Sequence, residues 1–154
     1  MHPTDNTIQE TEALNDLLQI NMDKITLYEK LKRYCAGCYL AEIIEELIQQ
    51  SRSFVEVLRS CIPETAYNNP GVLSHTIYRL WNDLRALYSV NETLGLLAAL
   101  EYNEDATIRA YEIVLSDLFQ NDALCSLLKH QKELLLNNQK TIRLLQLPGK
   151  TPDQ

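Results

Sequence analysis

A carboxylate on the inward face of a helix is the feature of this chain with the most chemical promise. In the strongly helical run 97–118, steps of three and four residues join Leu97, Glu101, Glu104, Ile108, Tyr111, Leu115 and Leu118. Glu101-x-x-Glu104 would then put two carboxylates on one helix face, with Tyr111 two turns beyond Glu104. Carboxylates so arranged can neutralise and bridge cations, so metal binding is the chemistry to weigh. Glu46-x-x-Gln49 offers a weaker version of the same spacing further up the chain.

The other reactive side chains converge less. Cys35-Ala-Gly-Cys38 is a lone C-x-x-C with neither a second pair nor a βαβ setting. It reads as two small half-buried turn residues ahead of a zinc site shared across a dimer or a redox sensor. His2, His75 and His130 are scattered, and His130-x-x-Glu133 reads as a surface pair. Neither a Ser/His/Asp set nor a phosphate-cradling glycine loop is present, which turns the reading away from hydrolases and nucleotide binding.

The elements that must position these residues are helices. With 4 Gly and 5 Pro in 154 residues, and abundant Leu, Glu and Gln, the composition suits one all-α domain. Thr7-x-x-Glu10 forms a capping box, and Leu14, Leu17/Leu18, Asn21, Ile25, Tyr28 and Leu31 then recur at helical spacing to about Tyr34, with Gly37 as the stop. A second helix from about Tyr39 to Ile62 turns Ile43, Leu47, Gln50, Phe54, Val57/Leu58 and Cys61 inward and ends at Pro63.

A shorter helix is expected over about 72–88, carrying Leu73, Ile77, Leu80/Trp81, Leu84 and Leu87. Ser89-x-x-Glu92 caps the third long helix, which runs to about Leu118 before a turn at Gln120–Asn121. The last helix uses Leu124, Leu127/Leu128, Gln131, Leu135, Asn138, Ile142 and Leu145, ending at Leu147-Pro148-Gly149. Short links make helix neighbours antiparallel, whereas the long segment holding the 72–88 helix can climb the length of a bundle. The domain is expected to span 7–147, with flexible tails at 1–6 and 148–154.

Charge and hydropathy exclude several classes. A formal charge of −7 argues against nucleic acid or anionic lipid as partners. No apolar run is long enough for a membrane span, and the polar start lacks the apolar core of a signal peptide, so a cytoplasmic location is expected. Leu134-Leu135-Leu136 and Leu144-Leu145 exceed what one inward stripe buries. That second apolar face suits the crossover helix or a partner chain, so a homo-oligomer fits and an unidentified protein partner is the alternative.

A weak internal repeat ties the pattern together. Tyr28 and Tyr111 each follow a polar stripe position, Asn21 and Glu104, by seven residues. Asn21, Gln50, Glu104 and Asn138/Gln139 lie at comparable distances from hairpin centres near residues 37 and 120. All four long helices are therefore expected to send a polar side chain into one mid-bundle slice. Amide and phenol groups there would partner a buried carboxylate that is otherwise costly.

Two hairpins joined by a long crossover, with the phrase Glu104-x-x-x-x-x-x-Tyr111, resemble the ferritin-like superfamily. More closely, LNDLLQINMDKITLYEK, IQQSRSFVEVLR, LWNDLRAL and NEDATIRAYEIVL resemble an uncharacterised bacterial domain-of-unknown-function family assigned to that superfamily, over about Leu14 to Leu145. The resemblance implies an antiparallel four-helix bundle with a fifth short helix in the crossover between helices two and three. It also implies the superfamily's dimetal layout, one Glu from each of two helices and a Glu-x-x-His from each of the others. Those positions fall here on Asn21, Leu47, Gln50, Glu104, Leu136 and Gln139, which retain a single carboxylate and no histidine.

The expectation is therefore a protein without a functional dimetal centre and with no cofactor. It would have a polar layer of Asn21, Gln50, Glu104, Asn138, Gln139, Tyr28 and Tyr111, and would act by assembly or partner binding, with stress response suggested by the superfamily. It would be non-enzymatic ahead of enzymatic. The alternative is an iron or manganese protein for metal storage or oxidant handling, with a reduced site at Glu104, Glu101 and Glu46.

Overall fold

A computed structural model describes residues 5–35, 37, 39–63, 93–117 and 122–147. Among them are four helices and no strand: α1 (Asp5–Tyr34), α2 (Leu40–Ser60), α3 (Thr93–Asp117) and α4 (Asp122–Gln146). They form an all-α four-helix bundle. None of these helices is long and apolar enough to cross a membrane. The helix expected over 72–88, the Ser89–Glu92 capping box, Leu118, the Gln120–Asn121 turn, Cys38, His2, His75 and the 148–154 tail lie outside the described residues.

The helix ends have local causes. α1 starts at Asp5, two residues ahead of the expected start at Thr7. At its other end Cys35 N–H donates to Lys32 O at 3.2 Å, tightening the last turn. Gly37 then takes φ +88°, the left-handed conformation that an L side chain resists. α2 closes the same way, with Cys61 N–H on Leu58 O and Ile62 N–H on Arg59 O, just before Pro63.

Each helix buries a stripe at three- and four-residue spacing. On α2 it runs Leu40, Ile44, Leu47, Ile48, Ser51, Phe54, Val55 and Leu58. This corrects two inward assignments. Val57 is one position, or about 100°, away from Leu58 and is exposed, and Cys61 lies past the helix end and is exposed too. Ile43 is half-buried for the same reason.

The buried apolar residues fall into two clusters. One gathers Leu14, Leu17, Leu18 and Ile20 with Phe54, Leu58, Ala106, Val114, Leu128 and Leu135. The other gathers Tyr28 and Leu31 with Leu40, Ile44, Ile48, Leu97, Leu100 and Ile142. On every helix the residue numbers skip between the clusters, from 20 to 28 on α1, 48 to 54 on α2, 100 to 106 on α3 and 135 to 142 on α4. The skipped segments hold the buried polar residues Asn21, Lys24, Ser51, Asn103, Glu104 and Gln139. Full burial of a Leu or Ile stabilises by about 1.5–3 kcal/mol, so the two clusters drive folding and the slice between them must justify itself otherwise.

Ion pairs follow the seams. Lys32 pairs with Glu45, and further from Gly37 Glu29 pairs with Arg52. Between α3 and α4, Glu112 pairs with Lys132 and Glu101 with Arg143. In both seams the partner's number rises on one helix as it falls on the other.

Candidate functional site: the buried polar slice

Glu104 is completely buried. Its Oε2 receives the Tyr28 hydroxyl at 2.5 Å and lies 2.5 Å from the Lys24 ammonium. Its Oε1 receives one N–H of the Asn138 amide at 2.9 Å, and the same amide donates to Gln50 Oε1 at 2.6 Å. One string of polar groups thus runs from α1 through α3 and α4 to α2. The carboxylate sits at its centre, with donors on both oxygens.

A second string lies on the side of the slice nearer Leu17. Asn21 Nδ2 donates to Leu17 O at 2.9 Å and to the Tyr111 hydroxyl at 3.1 Å, and Tyr111 donates to Gln131 Oε1 at 2.6 Å. The Tyr111 ring meets Phe54 edge-on at 6.5 Å. Burial pushes the Tyr111 phenol well above its ordinary value, against a smaller lowering by the Asn21 hydrogen bond. At neutral pH it is an uncharged hydrogen-bonding link.

The two strings both cross from α1 to α3. Asn21 and Tyr28 of α1 bond Tyr111 and Glu104 of α3. Each half of the sequence repeat thus gives its polar residue to the other half's tyrosine. That reciprocity follows from the shared seven-residue offset, two helical turns on each side.

Lys24 is the residue that reading the sequence passed over. Its side chain is fully buried, its Nζ stands 5.3 Å from the Tyr28 ring centroid, and Glu104 is its one charged partner among the described residues. Lysine is almost never buried unless paired, and the spacing expectation places Ile25 on the α1 stripe. Ile25 is in fact half-buried and Lys24 takes the inward place. The available signal was register: Lys24 lies three residues after Asn21 and four before Tyr28, on the same face as both.

The remaining expected residues fall elsewhere. Glu101 does not join Glu104; it lies at the α3–α4 seam, bonded by Arg143 and by Gln146 Nε2 at 3.0 Å. The inward stripe of α3 passes through Leu97, Leu100, Glu104, Tyr111 and Val114, which leaves Glu101 at its edge. Burial raises the Glu101 carboxyl, but the Arg143 and Gln146 hydrogen bonds outweigh it and hold it below its ordinary value. Glu46 is exposed. Gln139 is buried but bonds Asp105 at 3.3 Å, outside both strings. Cys35 is buried, with its thiol on Lys32 O at 3.5 Å, and His130 and Glu133 are exposed.

These residues do not fit the dimetal layout that the ferritin-like resemblance implies. Of its positions, Leu47 is buried hydrocarbon, Asn21, Gln50 and Gln139 are amides, and Glu104 is already engaged by two hydrogen-bond donors and the Lys24 ammonium. No group of three or more His, Cys, Asp or Glu side chains able to share an ion occurs among the described residues.

The sequence profile of a family described as "Domain of unknown function (DUF2383)" matches residues 9–117. This reaches from the first turns of α1 to the end of α3 and includes every residue of the Lys24–Tyr28–Glu104 cluster. No curated protein matches the chain significantly. The same holds for solved structures.

Proposed function

The chain belongs to the DUF2383 family, and from that premise we propose that it is a non-enzymatic, metal-independent bundle of the ferritin-like kind, acting through assembly or protein partner binding. The observation that carries the reading is the occupancy of Glu104: both oxygens of this carboxylate, the one acidic group in the core slice among the described residues, are bonded by the protein's own donors. A cation entering there would have to break three charge-assisted contacts.

The opposed running of partner numbers along both seams supports antiparallel hairpins. A fifth helix in the crossover, within a domain over 7–147, completes the proposed architecture. The negative charge supports partners other than nucleic acid, and a cytoplasmic setting belongs to the same proposal. Assembly is supported by Tyr102 on α3, Leu144 on α4 and Leu147 just beyond it, each about half exposed.

Metal loading tests this. The purified protein, incubated with Fe(II) or Mn(II) and desalted, is expected to retain far less than about one ion per chain, against the two of a dimetal centre. Retention of two ions would overturn the metal-independent reading. Light scattering on the same sample is expected to give a mass above the 17.7 kDa of one chain; a strict monomer leaves partner binding as the surviving form.

A further inference from the structure

We propose that the Lys24 ammonium is the resident cation of the slice, standing in the electrostatic place of a metal ion. The inference rests on the ferritin-like reading of the bundle and deepens it, by naming the residue that keeps metal out.

The surroundings of Nζ are those a cation selects. A carboxylate oxygen lies at 2.5 Å, the face of the Tyr28 ring at 5.3 Å, and Tyr28's hydroxyl is bound to that same carboxylate oxygen. One helical turn away on the same face, Asn21 Oδ1 is buried with no donor among the described residues. The ammonium itself is fully buried and makes no hydrogen bond among them; its contact with Glu104 is an ion pair without hydrogen-bond geometry. A lysine placed for hydrogen bonding would be served by more than one oxygen. One placed for its charge needs only the carboxylate.

Charge balance makes the assignment specific. The cluster holds one carboxylate and one ammonium, both excluded from water, and a buried cluster tolerates little net charge. A divalent ion added beside Lys24 would leave an excess of two positive charges. Remove the ammonium and supply a second carboxylate from the same position, and the sum is reversed: two negative charges face each other across α1 and α3, with the amides of Gln50 and Asn138 and the Tyr28 phenol as further oxygen donors. Hard divalent ions take that kind of oxygen set.

The experiment compares the full-length protein, Lys24→Glu and Lys24→Glu/Glu104→Gln. Each is titrated with Mn(II), with bound metal measured after desalting and the thermal midpoint read by circular dichroism. Lys24→Glu is expected to bind about one Mn(II) per chain, and its midpoint should rise with metal concentration as binding to the folded state requires. The unsubstituted protein and the double variant should retain almost none and show no midpoint shift. If Lys24→Glu is unfolded without metal, the same titration should restore its helical signal. A Lys24→Glu chain that neither binds Mn(II) nor is stabilised by it overturns the assignment while leaving the metal-independent reading intact. Loading of the unsubstituted protein overturns both.

Discussion

Glu104 and Glu101 stand one turn apart on α3, and their surroundings could hardly differ more. Glu104 is sealed between two apolar clusters and held by Lys24, Tyr28 and Asn138 from two other helices. Glu101 lies at the seam with α4, its side chain 28% exposed, paired with an Arg143 that is 59% exposed. In the slice the carboxylate cannot turn to water if a partner is lost. At the seam it can, so the same chemical group is costly to disturb in one place and cheap in the other.

Removing the buried cation tests the first half of that contrast. Lys24→Met keeps the side chain's length and leaves Glu104 buried without its counter-charge, so urea denaturation at neutral pH should show a loss of about 3–5 kcal/mol. Replacing both partners, in Lys24→Met/Glu104→Leu, should recover most of that loss, because the cost comes from the abandoned charge. A single variant as stable as the unsubstituted chain would break the comparison.

The second string should yield less. Tyr111→Phe keeps the ring against Phe54 and leaves Gln131 Oε1 without its donor, while Asn21 keeps its bond to Leu17 O. Neutral partners lose about 1–3 kcal/mol when one buried group is orphaned, read from the same denaturation curves. A larger loss than from Lys24→Met would mean that the phenol, and not the ion pair, holds the slice together.

Least affected should be the seam, where the pH dependence carries the information. The folded-state value of Glu101 lies below its ordinary 4.5, so its stabilisation is fully present above 4.5 and is lost as pH falls through the lowered value. Glu101→Gln should therefore cost under about 1 kcal/mol at neutral pH, with the gap from the unsubstituted chain closing in acid. Thermal midpoints between pH 7 and pH 3 measure this, and a gap that widens in acid would refute the assignment.

Much of the fold is legible in periodicity. The stripes of α1, α3 and α4 follow apolar residues spaced by three and four, and Gly37 adopts the positive φ that a stop there predicts. The errors cluster where two neighbouring residues fit the same step. At 24/25 on α1 a four-residue step from Asn21 lands on Ile25 where a three-residue step reaches the buried Lys24, and at 101 on α3 a four-residue step from Leu97 draws Glu101 inward when the stripe runs through Leu100. A stripe about 100° wide leaves such edges undecided, and which of the two turns inward depends on the partner helix.

The sequence by itself determined the four long helices of the described residues, because propensity, spacing and end signals act within a few residues of one another. It also marked Glu104 as a carboxylate in a core position. Only the tertiary structure decided what that carboxylate meets. Lys24 lies 80 residues away along the chain, and whether a lysine stays in water or is drawn inside depends on a counter-charge that another helix supplies. Charge compensation acts across the bundle, where no local pattern records it.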